Sequence, residues 1–295
     1  MRRPMTATYV HDEIASQPEN WRRAAGLLPE VADRLPQRGE RIAVVGCGTS
    51  WFVAQAYAVL REEAGHGTTD AFAGSEYPVL RTYDRVLAIS RSGTTTEIRE
   101  LLGQVTHVPT VLVTAVEDSP CAEAADVTVG LAFADEQSVV QTRFATTALA
   151  LLRAHLGQDV EAAAVDAEKA LEVDVEQLVD LEQVTFLGRG WTVGLANEAA
   201  LKTREAGQFW AESYPAMDYR HGPIAIAEPG RAVWTFGEVP EGLPDDIAAT
   251  GALHVHHDLD PLAALVVAQR FAVAVAEHRG LDPDRPRSLT RAVIL

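Results

Sequence analysis

Short, continuous apolar runs rich in β-branched residues recur through the first half of the chain, and helix-like stretches separate them. They are Arg41-Ile42-Ala43-Val44-Val45, Val86-Leu87-Ala88-Ile89 and Pro109-Thr110-Val111-Leu112-Val113-Thr114. A strand that is apolar on both faces needs cover on both, and intervening helices supply it, so the pattern predicts a parallel sheet between helical layers. The reading places strands at 41–46, 85–90, 109–114 and 126–131, with a further candidate at 68–72. Helices fall at 50–64 and 95–104. Ahead of them, residues 8–35 read as helical, with a rough apolar stripe of Ile14, Trp21, Ala25, Leu28 and Val31.

The unit then repeats. After helical stretches at 139–156 and 161–180, Val184-Thr185-Phe186-Leu187 leads into Gly188-Arg189-Gly190-Trp191-Thr192 and a helix over 193–206. This is the same strand, Gly-x-Gly, helix order as Val44-Val45-Gly46-Cys47-Gly48-Thr49-Ser50. It indicates an internal duplication dividing the chain near residues 158–175. Strand candidates at 231–236, 252–257 and 290–294 and a helix at 262–278 complete a second copy with fewer clear repeats.

Two loops carry the functional signal in the first copy. Gly46-Cys47-Gly48-Thr49-Ser50 and Ser90-Arg91-Ser92-Gly93-Thr94-Thr95-Thr96-Glu97 each join a strand to a helix start. The first backbone N–H groups of a helix lack intrahelical partners, and the helix dipole adds positive charge there. Ser and Thr hydroxyls add donors, so the pair suits one phosphate gripped from both sides, although such residues also serve as ordinary caps. A P-loop is excluded because no lysine follows either glycine turn. A dinucleotide fingerprint would need glycine at Trp51, leaving only Asp70 as a stand-in for its ribose-binding acid.

The formal net charge is −17 over 295 residues, which argues against nucleic acid and anionic membrane surfaces as partners. An anionic ligand must then be held by local donors. The two cysteines, Cys47 and Cys121, show neither metal-ligand spacing nor a disulfide framework, which fits a reducing, cytoplasmic setting. No apolar segment follows Met1-Arg2-Arg3-Pro4-Met5 as in a signal peptide, and the apolar stretch 261–277 reads as a buried helix. Of 25 basic residues only Lys169 and Lys202 are lysine, so an amine mechanism has two candidates.

Glu198, Lys202 and Glu205 fall at i, i+4 and i+7 on the helix after Gly190 and therefore share a face. A solvated ion-pair row would have that spacing too, but this one begins at a ligand-type loop. His221, before Gly222-Pro223, belongs on a turn and titrates in the range useful for proton transfer. His254, His256 and Asp258 alternate along a possible strand and are the alternative metal-binding set, though an exposed edge explains them equally well.

Taken in order, Gly46-Cys47-Gly48-Thr49-Ser50, Ser90-x-Ser92-Gly93-x-Thr95, Glu136-x-x-Val139, Gly188-Arg189-Gly190, Lys202-x-x-Glu205 and the run from Glu212 to His221-Gly222-Pro223 resemble the sugar isomerase (SIS) domain proteins. In particular the chain is similar, from about residue 20 to its end, to the tandem-SIS isomerase half of glucosamine-6-phosphate synthase and to its deaminase/isomerase relatives. The resemblance implies an α/β fold of two flavodoxin-like subdomains, each a parallel sheet covered by helices, the second shortened. Their expected extents are 1–37 for an N-terminal helical segment, 38–158 for the first subdomain with its phosphate loops, and 159–295 for a linker helix, the second subdomain and the tail. It further implies that Gly48, Thr49, Ser50, Ser90, Arg91, Ser92 and Thr95 hold a sugar phosphate. By the same resemblance Glu205 shuttles a proton between C1 and C2, Lys202, Glu136 and Val139 line the pocket, and His221 reaches in from the second subunit of a homodimer.

Two departures limit that inference. Where the synthases carry a tail lysine that forms a Schiff base, this chain has Arg291, whose guanidinium stays protonated and cannot form an imine. No glutaminase domain is present within these residues to supply ammonia. The expectation is a phosphosugar isomerase or amino-sugar-phosphate deaminase/isomerase that uses no metal or cofactor. A non-catalytic phosphosugar sensor and a fructosamine-phosphate deglycase are the alternatives.

Overall fold

A computed structural model describes residues 8–78 and 80–295. The Met1–Met5 start therefore lies outside the described residues. Helices α1 (Tyr9–Ala15) and α2 (Gln17–Val31) open the fold. The expected single helix over 8–35 breaks at Ser16, and Pro18 sits in the first turn of α2, where its missing N–H costs nothing.

The first sheet follows as β1 (Ile42–Gly46), α3 (Thr49–Glu63), β2 (Thr69–Ala73), β3 (Arg85–Ile89), α4 (Thr96–Gln104), β4 (Thr110–Thr114), α5 (Pro120–Ala124) and β5 (Val127–Gly130). All pairings are parallel, in the order β2-β1-β3-β4-β5. Every residue of β1 and β4 is buried, as strands covered on both faces must be. Because β1 and β3 are neighbours while β2 lies on the other side of β1, their connections leave in opposite directions. A crevice opens at the carboxyl ends of β1 and β3, where open α/β sheets bind ligands.

Helices α6 (Arg143–His155) and α7 (Val160–Leu171) lead to a smaller copy: β6 (Gln183–Gly188), α8 (Thr192–Gly207), β7 (Ala211–Pro215), β8 (Arg231–Thr235), α9 (Leu243–Thr250), β9 (Leu253–His256) and α10 (Pro261–His278). Its four parallel strands run β7-β6-β8-β9, the same order with one strand fewer. The repeat extends to the turn glycines. A Cβ on Gly46 would lie 2.5 Å from the Ser50 carbonyl carbon, and one on Gly188 would lie 2.2 Å from the Thr192 oxygen, so neither turn tolerates a side chain.

The two copies meet through α3 and α8. A Cβ on Gly194 would stand 2.5 Å from the Phe52 carbonyl oxygen, so glycine there lets the two helix backbones touch. That contact brings α8, with Lys202 and Glu205, against the loop after β1. Helix α10 is long and apolar enough to cross a membrane by length and composition, with a mean hydropathy of 1.2. Here its residues Leu262 to Gln269 and Phe271 to Ala276 are buried, and it packs on α7 and α8.

Several boundaries differ from expectation. The segment 139–142 is not helical, because Glu136 accepts the N–H groups of Thr142 and Arg143 and so ends the approach to α6. The helix expected over 161–180 stops at Leu171, with only a 3₁₀ turn at Glu176–Leu178. Residues 290–294 form no strand. Their apolar character found no sheet edge to join, and the Val293 carbonyl instead accepts the N–H of Thr96 at the start of α4.

Candidate active site

A cavity of about 190 Å³ occupies the crevice between β1 and β3. Gly48, Thr49 and Ser50 form one wall at the start of α3, and Ser90, Arg91, Ser92 and Thr95 form another before α4. Val139 and Gln141 supply a third side, Lys202 and Glu205 a fourth, and the tail from Leu289 to Val293 covers the cavity. The hydroxyl-rich loops and the charged face of α8 therefore converge, although up to 157 residues separate them in sequence.

The loop after β3 is held from within. Ser92 Oγ accepts the Thr94 N–H at 3.2 Å and the Thr94 hydroxyl at 3.0 Å, and the Ser90 and Thr95 hydroxyl oxygens are 3.4 Å apart. Gly93 seats the loop on α5, where its carbonyl accepts the Cys121 N–H at 2.8 Å.

The opposite end of the cavity carries the charge. Lys202 Nζ lies 2.5 Å from Glu205 Oε2 and 3.6 Å from Glu198 Oε1, and Thr49 donates to Glu198 at 3.3 Å. The sequence spacing was compatible with a solvated row, but Glu198 and Lys202 are 2% and 1% exposed. Burial pushes the Glu198 carboxyl up to about 8, against the pull of Lys202. Burial also opposes the Lys202 ammonium, but the two carboxylates beside it outweigh this and hold its pKa above the usual lysine value. One buried cation is thus shared between a carboxyl biased toward its protonated form and a second carboxyl facing the cavity.

Other candidate residues fall differently. Glu136 does not line the cavity. It is buried behind the wall, capping α6 through Thr142 and Arg143 and lying 3.5 Å from Arg91, and burial raises its pKa. Arg91 lines the cavity, but its guanidinium donates to the carbonyls of Ser138, Val139 and Arg291. Arg291 lines it as well, while its side chain points away, onto Asp135 and the Glu136 carbonyl. His221 is exposed at the end of a 3₁₀ turn and is not among the cavity-lining residues.

The alternative metal set is otherwise occupied. His254 bonds the Thr235 hydroxyl at 3.1 Å, and His256 pairs with the Thr235 carbonyl at 3.2 Å. Among the described residues, no three His, Cys, Asp or Glu side chains gather to hold a metal ion. Sequence reasoning did not single out Gln141, nor Glu13, whose buried carboxylate accepts the Ser138 hydroxyl and the Gln137 N–H behind the cavity wall. No glycine turn and no shared charged helix face marks either residue.

Residues 36–156, which hold the first sheet and its helices, match the SIS domain family. Glutamine–fructose-6-phosphate aminotransferase (isomerizing) of Sulfurisphaera tokodaii is 27% identical over 90% of the chain, and that of Streptococcus pneumoniae is 27% identical over 97%. The chain spans about half the length of these curated relatives, 52% and 58% respectively. Among solved structures, glucosamine-6-phosphate deaminase of Thermotoga maritima superposes with a TM-score of 0.82, covering 98% of this chain and 100% of its own at 21% identity. Tagatose-6-phosphate ketose/aldose isomerase of Escherichia coli gives 0.79, with 96% and 98% covered at 20% identity. The fold shared with these solved structures thus extends over both sheets, and the relatives are of the sugar-phosphate isomerase type.

Proposed function

We propose that this SIS-domain chain is a phosphosugar isomerase acting on the ring-opened form of a hexose phosphate or amino-hexose phosphate. The observation that carries this reading is the convergence around one cavity of two neutral, donor-rich helix starts with Lys202 and Glu205, backed by the buried Glu198. The phosphate sits against Gly48, Thr49, Ser50, Ser90, Ser92 and Thr95, where the N–H groups and hydroxyls of two helix starts offset the unfavourable net charge. Glu205 removes the proton from C2 of the aldose. The C–H electron pair forms the C1=C2 bond of an enediol, and the developing charge on oxygen is stabilised by the Lys202 ammonium. Return of the proton to C1, with transfer of the O2 hydroxyl proton to O1, completes the ketose. With nitrogen on C2, the same transfer yields an imine that water hydrolyses, releasing the amine.

Arg291 leaves the tail without an amine, so this chemistry passes through no lysine imine there. His221, exposed on its own chain, serves the cavity of a second copy in a two-fold dimer and assists ring opening. The test is incubation of the protein with a small panel of phosphosugars, followed by NMR. Interconversion of aldose and ketose phosphates supports the proposal. Release of an amine from a fructosamine phosphate alone would make the chain a deglycase, and binding without turnover would make it a sensor.

A further inference from the structure

The wall formed by residues 136–142 is tied down on every side except one. Glu136 turns inward, accepting the Thr142 N–H at 2.5 Å, its hydroxyl at 2.8 Å and the Arg143 N–H at 2.8 Å. Glu13, on α1, accepts the Gln137 N–H and the Ser138 hydroxyl, each at 2.5 Å. Arg91 holds the Ser138 and Val139 carbonyls at 3.2 and 3.3 Å, and the Val139 N–H donates to the Asp284 carbonyl at 3.0 Å. Gln141 is the exception. It is half-buried, lines the cavity, and makes no hydrogen bond to another residue among the described residues.

A side-chain amide on a rigid backbone, facing the cavity and left without a protein partner, is poised to bond a ligand. The cations around it are already paired: Arg91 with Glu136 and backbone carbonyls, Lys202 with Glu198 and Glu205, Arg291 with Asp135. A second anionic group on the ligand would find none of these three charges unpaired. A hydroxyl would find an amide that both donates and accepts.

We propose that Gln141 is a specificity-determining residue that reads a hydroxyl of the sugar beyond the phosphate, and that the substrate class is a hexose phosphate with no second anionic group. This rests on the phosphosugar reading given above. A wall fixed by Glu13, Glu136 and Arg91 holds the Gln141 backbone in place, so the bond favours sugars that carry a hydroxyl within reach of the amide.

The test uses the full chain and its Gln141→Ala variant, both checked for an unchanged melting midpoint, with affinities measured by calorimetry. The probes are glycerol 3-phosphate, which offers the phosphate alone, fructose 6-phosphate, tagatose 6-phosphate, glucosamine 6-phosphate, and 6-phosphogluconate, which adds a carboxylate. The variant should hold glycerol 3-phosphate within about twofold, while losing about five- to tenfold on the preferred hexose phosphate and narrowing the spread among the hexoses. An unchanged spread, an equal loss on glycerol 3-phosphate, or wild-type preference for 6-phosphogluconate overturns the role of Gln141 while leaving the phosphosugar reading standing. Failure of the wild-type protein to bind any of the phosphates overturns both.

Discussion

Lys202 Nζ lies 2.5 Å from the Glu205 carboxylate, one turn along the same helix, and the ammonium itself is buried. An exposed pair at this spacing contributes little to stability. Here the lysine also compensates Glu198, so removing it strands carboxyl groups in a low-dielectric site. Lys202→Met should cost about 3–5 kcal/mol of unfolding free energy, read from urea melts. A change below about 1 kcal/mol, the range of exposed pairs, would mean that the group is hydrated.

Glu198 gives stability a pH dependence of definite sign. Its folded pKa of about 8 lies above its ordinary 4.5, so the folded state holds the proton more tightly. The contribution is fully present below about pH 4.5 and is lost as pH rises through about 8, with a slope of at most about 1.4 kcal/mol per pH unit. Glu198→Gln should flatten this part of the stability profile between pH 5 and 8. An unaltered slope in the variant would assign the titration to another group.

The two loops make a separate prediction. Ser90→Ala with Ser92→Ala should weaken phosphosugar binding by about 1–3 kcal/mol for each charge-assisted bond lost. Calorimetry decides it, and equal affinity in the double variant would remove this loop from the phosphate site.

How far the sequence discloses this arrangement depends on where each element lies. β1 and β4 are buried along their full length, so their apolar runs announce them. β7 is an edge strand in which only Ala211 is buried, and Glu212-Ser213-Tyr214 carries no such signal. The tail misleads in the opposite sense, since Val293 and Ile294 are apolar yet 53% and 71% exposed and join no sheet. At the site, Thr49, Ser50, Ser90 and Ser92 stand out because glycine turns mark helix starts. Lys202 and Glu205 stand out because helical spacing puts them on one face. Gln141 and Glu13 do not, because Gln141 matters only through a cavity that distant segments assemble, and Glu13 through a contact 124 residues away along the chain.

Composite sites should show in complementation. Neither Glu205→Gln nor His221→Ala should turn over alone. Mixed under subunit exchange, they should recover activity, because each heterodimer contains one site with both residues intact. A mixture that stays inactive would place His221 outside the reaction or confine each site to one chain.

The proposal depends most on Glu205 as the group that moves the proton. In D₂O, the wild-type protein should wash deuterium into the reacting carbon of its sugar phosphate, followed by NMR. Glu205→Gln preserves shape but cannot act as a base, so it should still bind the phosphosugar while exchange falls by about 10²–10⁴. Undiminished exchange in that variant would contradict the account and transfer the base to Glu198, Glu212 or another group.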